Sequence, residues 1–155
     1  MIAPRQTRID QVYMQQALVL ASEAGERGEV PVGAVVVFDD VVIGRGSNRC
    51  IEDHDPAGHA EVIALREAAK NRKNYRLDGA CLYVTLEPCL MCCGALLQAR
   101  VSRLVFGARE PRTGAIVSIH EGLRVRGVNH HVAITEGVMV ENAVSLLHQF
   151  FNERR

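Results

Sequence analysis

The chain has 155 residues of which 48% are apolar, enough for one well-buried core and too few for two ordinary domains, so a single domain over residues 1–155 is expected. Eighteen Lys and Arg residues balance eighteen Asp and Glu residues. That balance excludes bulk attraction to nucleic acid or an anionic membrane, and any polyanion must be held by a local patch.

In chain order, IDQVYMQQALVLASEAGE carries Ile9, Val12, Tyr13, Ala17, Leu20 and Ala24 at the spacing of one helical face, and Gly25 and Gly28 mark the end of that helix. PVGAVVVF and VVIGRG are β-branched runs joined at Asp39 and Asp40, which predicts an antiparallel hairpin whose first strand is buried on both faces. A loop from Ser47 to Ala57 follows. HAEVIALREAAKN then reads as a helix, CLYVTL as a strand, CLMCCGALLQAR as a helix and RLVFG as a strand, the alternation that signals parallel pairing through crossovers. Beyond an irregular stretch, residues 108–129, HVAIT forms a fifth strand. ENAVSLLHQFFNERR forms a terminal helix with Val144, Leu147 and Phe151 on one side. The expected fold class is therefore α/β, a five-stranded mixed sheet between helices. The first ten residues lack the apolar stretch of a signal peptide, and no run approaches the roughly 18 apolar residues of a membrane span. A cytoplasmic protein without a membrane partner is expected.

Five cysteines are an odd count, and Cys89, Cys92 and Cys93 share one short stretch, which fits metal binding or burial better than a disulfide framework. His59 and Glu61 open one predicted helix; Cys89 and Cys92 open the next, directly behind Pro88. Cysteines three apart share a helical face, and the amide dipoles at a helix start favour the thiolate form that binds metal. Two thiolates and one imidazole make a soft tetrahedral set for zinc with a fourth position left for water, which distinguishes a catalytic site from a closed structural one. Zinc lowers the pKa of a bound water to about 7. Glu61 would then stand near the metal without ligating it, placed to move that water's proton to a leaving group. Separately, each feature has an ordinary reading: His59 as a structural histidine, Glu61 as a solvated helix residue, Cys89 and Cys92 as a redox pair. Their joint order, H-x-E followed by P-C-x-x-C, favours the zinc reading, because a redox pair requires no upstream histidine and a zinc finger requires a second ligand pair.

HAE and EPCLMC resemble the zinc-dependent cytidine and deoxycytidylate deaminase superfamily. EVPVGAVVV, HDPAGHAEVIALREA, NYRLDGACLYVTLEPCLMCCGALLQARVSRLVFGAR, TGA and LLHQFFNERR are similar, more narrowly, to bacterial tRNA-specific adenosine deaminases, over about Val12 to Arg155. The resemblance implies a three-layer α/β/α cytidine-deaminase-like fold and a homodimer. It also implies hydrolytic deamination of adenosine to inosine at the wobble position of a tRNA anticodon stem-loop. It carries over one Zn2+ per subunit on His59, Cys89 and Cys92, with Glu61 as proton shuttle. Asn48 would hydrogen-bond the flipped base, and the backbone N–H of Ala60 would meet the edge of that base. Glu110, Arg109, Arg154 and Arg155 fall in segments implied to surround the RNA, as do Arg112, Arg124 and Arg126. One of Phe150 and Phe151 is expected in the core, leaving the other for base stacking. The chain departs from the family pattern at Gly58, at Cys93 beside Cys92, at Glu110 where aspartate is usual, and at Ala115–Ser118. A ligand role for Cys93 is conceivable, because it stands four residues after Cys89, but Cys92 is the favoured ligand. Two other classes share the zinc motif: a free nucleobase or nucleoside deaminase acting on guanine or cytosine, and a non-catalytic RNA-binding subunit. The arginine-bearing segments and the FFNERR tail argue against the first, and Glu61 argues against the second.

Overall fold

A computed structural model describes residues 4–154. The elements run α1 (Pro4–Glu26), β1 (Gly33–Phe38), β2 (Val41–Ser47), α2 (Ala60–Arg72), β3 (Cys81–Leu86), α3 (Leu90–Ala99), β4 (Arg103–Ala108), β5 (Ala133–Thr135) and α4 (Val140–Asn152). The five strands form one sheet in the order β2-β1-β3-β4-β5. β1 is antiparallel to both β2 and β3, while β3, β4 and β5 are parallel, so the sheet is mixed as expected. Asp39 and Asp40 both adopt left-handed backbone, φ 49° and 60°, the conformation that a two-residue hairpin turn demands. No helix among the described residues is long and apolar enough to cross a membrane.

Alternating side chains on the central strands feed two cores. Ala34, Val36, Leu82, Val84, Leu104 and Phe106 face α2 and α3. Val35, Val37, Tyr83 and Val105 face α1 and α4, which completes three layers. β1 is buried along its length except at Phe38, as its unbroken apolar run predicts. α2 lies unusually close to the sheet. Ala60, Ala64 and Ala68, spaced by four, pack on the bare backbone of Gly44 and Gly46, where an added Cβ would fall 2.2 Å from the Ala64 carbonyl and 2.3 Å from the Ala60 carbonyl. That contact fixes the start of α2 against the end of β2.

The buried stripe of α1 differs from the predicted one. Met14, Ala17, Leu18, Ala21 and Ala24 are buried, and Val12 is 57% exposed. Apolar residues occur on both faces of this helix, and the face that docks is decided by Asp10, buried on Arg103 and Tyr83. α1 also begins earlier than predicted, at Pro4, and β5 keeps only three residues of HVAIT. In α4 the buried residues are Ala143 and Phe150, with Val140, Val144 and Leu146 packed against the same core; Val144, Leu147 and Phe151 share one side, as expected, and line an open groove.

Candidate metal centre and the pocket around it

Antiparallel pairing on one side of the sheet and parallel pairing on the other bring four strand ends together: the start of β1 and the ends of β2, β3 and β4. Val32, Asn48, Glu87 and Glu110 sit just beyond those ends and line one pocket of about 130 Å³ with His59, Glu61 and Cys89. His59 and Cys89 are the N-cap residues of α2 and α3, one position outside the helices in which the sequence placed them. Neither side chain caps its own helix. Both are turned toward each other instead.

The His59 Nδ1 atom lies 3.5 Å from the Sγ of Cys89 and 3.5 Å from the Sγ of Cys92. All three candidate ligand atoms fall within 4.8 Å of one another, the single such group of three among the described residues. A zinc–sulfur bond of about 2.3 Å and a zinc–nitrogen bond of about 2.0–2.1 Å at the tetrahedral angle span about 3.5 Å, so the N–S separations already match such an ion. Hydrogen bonds from Cys92 and then His59 bring the Cys89 thiol down to about 4, against the desolvation imposed by burial. The Cys92 thiol, which shares its proton with Cys89 and is buried, is pushed up. His59 is raised by its hydrogen bond to Cys89. A zinc ion bound there would take both cysteines as thiolates. Cys93 faces elsewhere: its Sγ meets the carbonyl of Ala115 at 3.4 Å, and burial pushes its thiol up to about 12.

Glu61, in the first turn of α2, is only 4% exposed, and burial raises its pKa while a hydrogen bond from Cys92 opposes the rise. The N–H of Ala60, which the resemblance turns to a base edge, has a side-chain partner in this structure. It donates to Asn48 Oδ1 at 3.0 Å. Because the His59 side chain is committed to the cysteines, the first turn of α2 takes its cap from Asn48 at the end of β2. Asn48 is in turn held by its surroundings. Arg27 donates to Ser47 Oγ at 2.9 Å and to the Asn48 carbonyl at 3.4 Å, and the buried Glu29 accepts the N–H groups of Ile51 and Glu52.

A groove of about 700 Å³ shares Leu86 and Glu110 with this pocket and brings together Arg109, Arg112, Phe151 and Arg154. Arg109 pairs with Glu136 through two hydrogen bonds of 2.8 and 3.2 Å. The Arg154 guanidinium stacks on the Phe150 ring at 3.5 Å and donates to the Phe150 carbonyl. Phe150 is buried and Phe151 is 49% exposed, which divides the two phenylalanines between core and groove. Arg124 lines a different depression, Arg126 is exposed, and Arg155 lies outside the described residues.

The family model described as MafB19-like deaminase matches residues 9–155. A tRNA-specific adenosine deaminase of Haemophilus influenzae is 49% identical over 150 residues, covering 96% of this chain and 87% of its own length. A solved structure from work on A-to-I editing by tRNA:A34 deaminases at the wobble position superposes with a TM-score of 0.85 at 42% identity, over 87% of this chain and 98% of that one. The chain belongs to the tRNA-specific adenosine deaminase family. A guanine deaminase from Nitrosomonas europaea is more distant, with a TM-score of 0.76 at 25% identity over 97% of this chain and 85% of that one.

In this tRNA-specific adenosine deaminase family member, the sequence reading missed the residues that hold the pocket walls. Glu87 is 3% exposed and accepts hydrogen bonds from a loop 23 to 31 residues further along the chain. Glu29 serves the loop on the opposite wall. A glutamate directly before Pro88 gave no signal of burial, because four of its five donors are backbone amides, which carry no sequence pattern.

Proposed function

We propose that residues 1–155 form a single-domain, zinc-dependent enzyme that converts adenosine to inosine at the wobble position of a tRNA anticodon. The observation that carries this reading is the pairing of a small pocket with a large groove. At about 130 Å³ the pocket falls well below the ~300–1,000 Å³ of sites that enclose a drug-sized ligand. It suits a base edge and leaves ribose and neighbouring nucleotides outside. The adjoining groove offers arginines for phosphates and an exposed phenylalanine for a base face. The names of the relatives, tRNA-specific adenosine deaminase and tRNA:A34 deaminase, support the same substrate. The guanine deaminase likeness supports the alternative, a free nucleobase or nucleoside, at lower identity.

His59, Cys89 and Cys92 would hold the zinc, and the match between their spacing and a tetrahedral ion is what supports that assignment. A zinc ion bound there would supply a Lewis acid with an open position for water and lower that water's pKa to about 7. Glu61 takes the proton from the water that attacks purine C6 and delivers it to the departing amine, so that the C6–N bond breaks and ammonia leaves. Asn48, fixed by Arg27 and by its own bond to Ala60, turns its remaining amide group to the base. Arg109, Glu110, Arg154 and Arg155 contact the RNA. Support for a cytoplasmic homodimer rests on the family resemblance and on the exposed Leu90 and Met91 at the start of α3. The test is incubation of purified protein with an anticodon stem-loop bearing adenosine at the wobble position, followed by nucleoside analysis. Inosine in the stem-loop, with free adenosine, cytosine and guanine unchanged, is the expected result. Turnover of free guanine or cytosine with the stem-loop untouched would assign the chain to the nucleobase class.

A further inference from the structure

The loop that joins the small pocket to the groove packs Ala115 and Ile116 into the core and gathers five of its hydrogen bonds on one side chain. Glu87 leaves the end of β3, and its carboxylate is buried at 3% exposure. Oε2 accepts the successive N–H groups of Ile116, Val117 and Ser118 at 3.0, 2.8 and 3.0 Å. Oε1 accepts the N–H of Glu110 at 3.0 Å and the hydroxyl of Ser118. Consecutive amides turned inward make an anion-binding nest, and here the chain fills the nest with its own carboxylate. The fit leaves no slack, since a Cβ on Gly114 would fall 2.4 Å from the Glu87 carboxyl group. A further bond, Ala115 N–H to the Pro88 carbonyl at 2.9 Å, ties the same loop to the backbone one residue before Cys89. The loop in return lends Glu110 and Thr113 to the metal-site pocket and Glu110, Pro111 and Arg112 to the groove.

From this geometry we infer that Glu87 is a positioning residue for the RNA substrate: it sets the 110–118 loop as the wall that aligns the groove with the pocket. The inference rests on the RNA-deaminase reading for its substrate and on the structure alone for the anchor. Glu87 borders the pocket beside His59, Glu61 and Cys89, but the hydrogen bonds of its carboxylate all go to residues 110–118. Its loss therefore leaves the metal centre in place and loosens the wall. Glu87→Gln keeps one acceptor oxygen and turns an NH2 group on backbone N–H groups that require an acceptor, and Ser118→Ala removes one donor from the loop side without altering the Glu87–Pro88–Cys89 segment.

The experiment compares wild type, Glu87→Gln and Ser118→Ala by amide hydrogen exchange, zinc content and stem-loop kinetics. In Glu87→Gln the amides of Glu110, Ile116, Val117 and Ser118 should exchange about tenfold faster or more, with β3 and α3 unchanged. Zinc content should stay at the wild-type level. KM for the stem-loop should rise about tenfold with kcat within about threefold, and Ser118→Ala should show the same pattern at smaller amplitude. Unchanged loop exchange with unchanged KM, equal acceleration across the whole fold, or loss of zinc with the loop still protected would each overturn the inference. Should the wild type leave the stem-loop untouched while the amides behave as stated, the RNA reading fails and the anchor stands.

Discussion

Replacing Asp10 by Ala would test how the sheet is tied to α1. Its carboxylate is 1% exposed and accepts four hydrogen bonds, two from Arg103 at 2.8 and 2.7 Å, one from the Tyr83 hydroxyl at 2.8 Å and one from Gln6 at 3.0 Å. Without Asp10, the Arg103 guanidinium keeps the Thr135 hydroxyl at 2.9 Å as its remaining hydrogen-bond partner, with 22% of its side chain exposed. Removing one partner of a buried ion pair costs about 3–5 kcal/mol, because the other charge stays buried without compensation. For a chain of this length each kcal/mol shifts the melting temperature by roughly 2–4 °C, so the drop should be roughly 6–20 °C. Burial opposes ionisation of Asp10, but the bonds from Arg103, Gln6 and Tyr83 outweigh it and hold the carboxyl below its ordinary 3.8. A lowered folded-state pKa gives stability that is present above the unfolded value and lost as pH falls through the folded one. The gap between wild type and variant should therefore be full at neutral pH and shrink below about pH 4. Scanning calorimetry across pH measures both. A drop under about 2 °C at neutral pH, or a gap undiminished at strongly acidic pH, would refute the reasoning.

Elemental analysis should find about one zinc per chain, lost together with activity in Cys92→Ala and retained with activity in Cys93→Ala. The opposite pattern would exchange their roles. Glu61→Ala should keep zinc and RNA affinity and lose turnover; substantial residual turnover would remove the proton-shuttle role. In the groove, Phe151→Ala should weaken stem-loop binding by about 1–3 kcal/mol through lost stacking and leave the salt dependence unchanged. Arg154→Ala should instead flatten the dependence of log affinity on log salt by about 0.7, the signature of one phosphate contact. Equal salt slopes in the two variants would place Arg154 as packing on Phe150 alone.

The clustering of His59, Cys89 and Cys92 was legible because each candidate ligand is tied to a local pattern. His59 and Glu61 stand at a helix start, and Pro88 announces the start that carries Cys89 and Cys92. A helix N-terminus was the right location but the wrong position by one residue, since His59 and Cys89 are caps whose side chains leave the helix for each other. What the sequence concealed depends on long-range pairing. Asp10 is buried because Arg103 lies opposite, 93 positions away, and that pair rotates α1 so that Val12 faces outward. The bond from the Ala60 N–H to Asn48 was likewise unannounced, since the hairpin brings Asn48 to the start of α2. Glu87 was silent for the same reason: five donors from an irregular segment make a tight site without any periodicity to announce it.

In the proposed reading the pocket takes only a base edge while the groove supplies the binding energy that extrudes and orients it. Single-turnover and steady-state kinetics on a truncation series, from anticodon stem-loop through a trinucleotide centred on the wobble adenosine to free adenosine, test this directly. Energy from remote contacts that is used to reach the transition state appears in kcat as well as KM when the contacts are removed. On that reading kcat falls by orders of magnitude along the series, with free adenosine essentially inert at saturating concentration. A kcat for free adenosine equal to that of the stem-loop, with only KM altered, would contradict it.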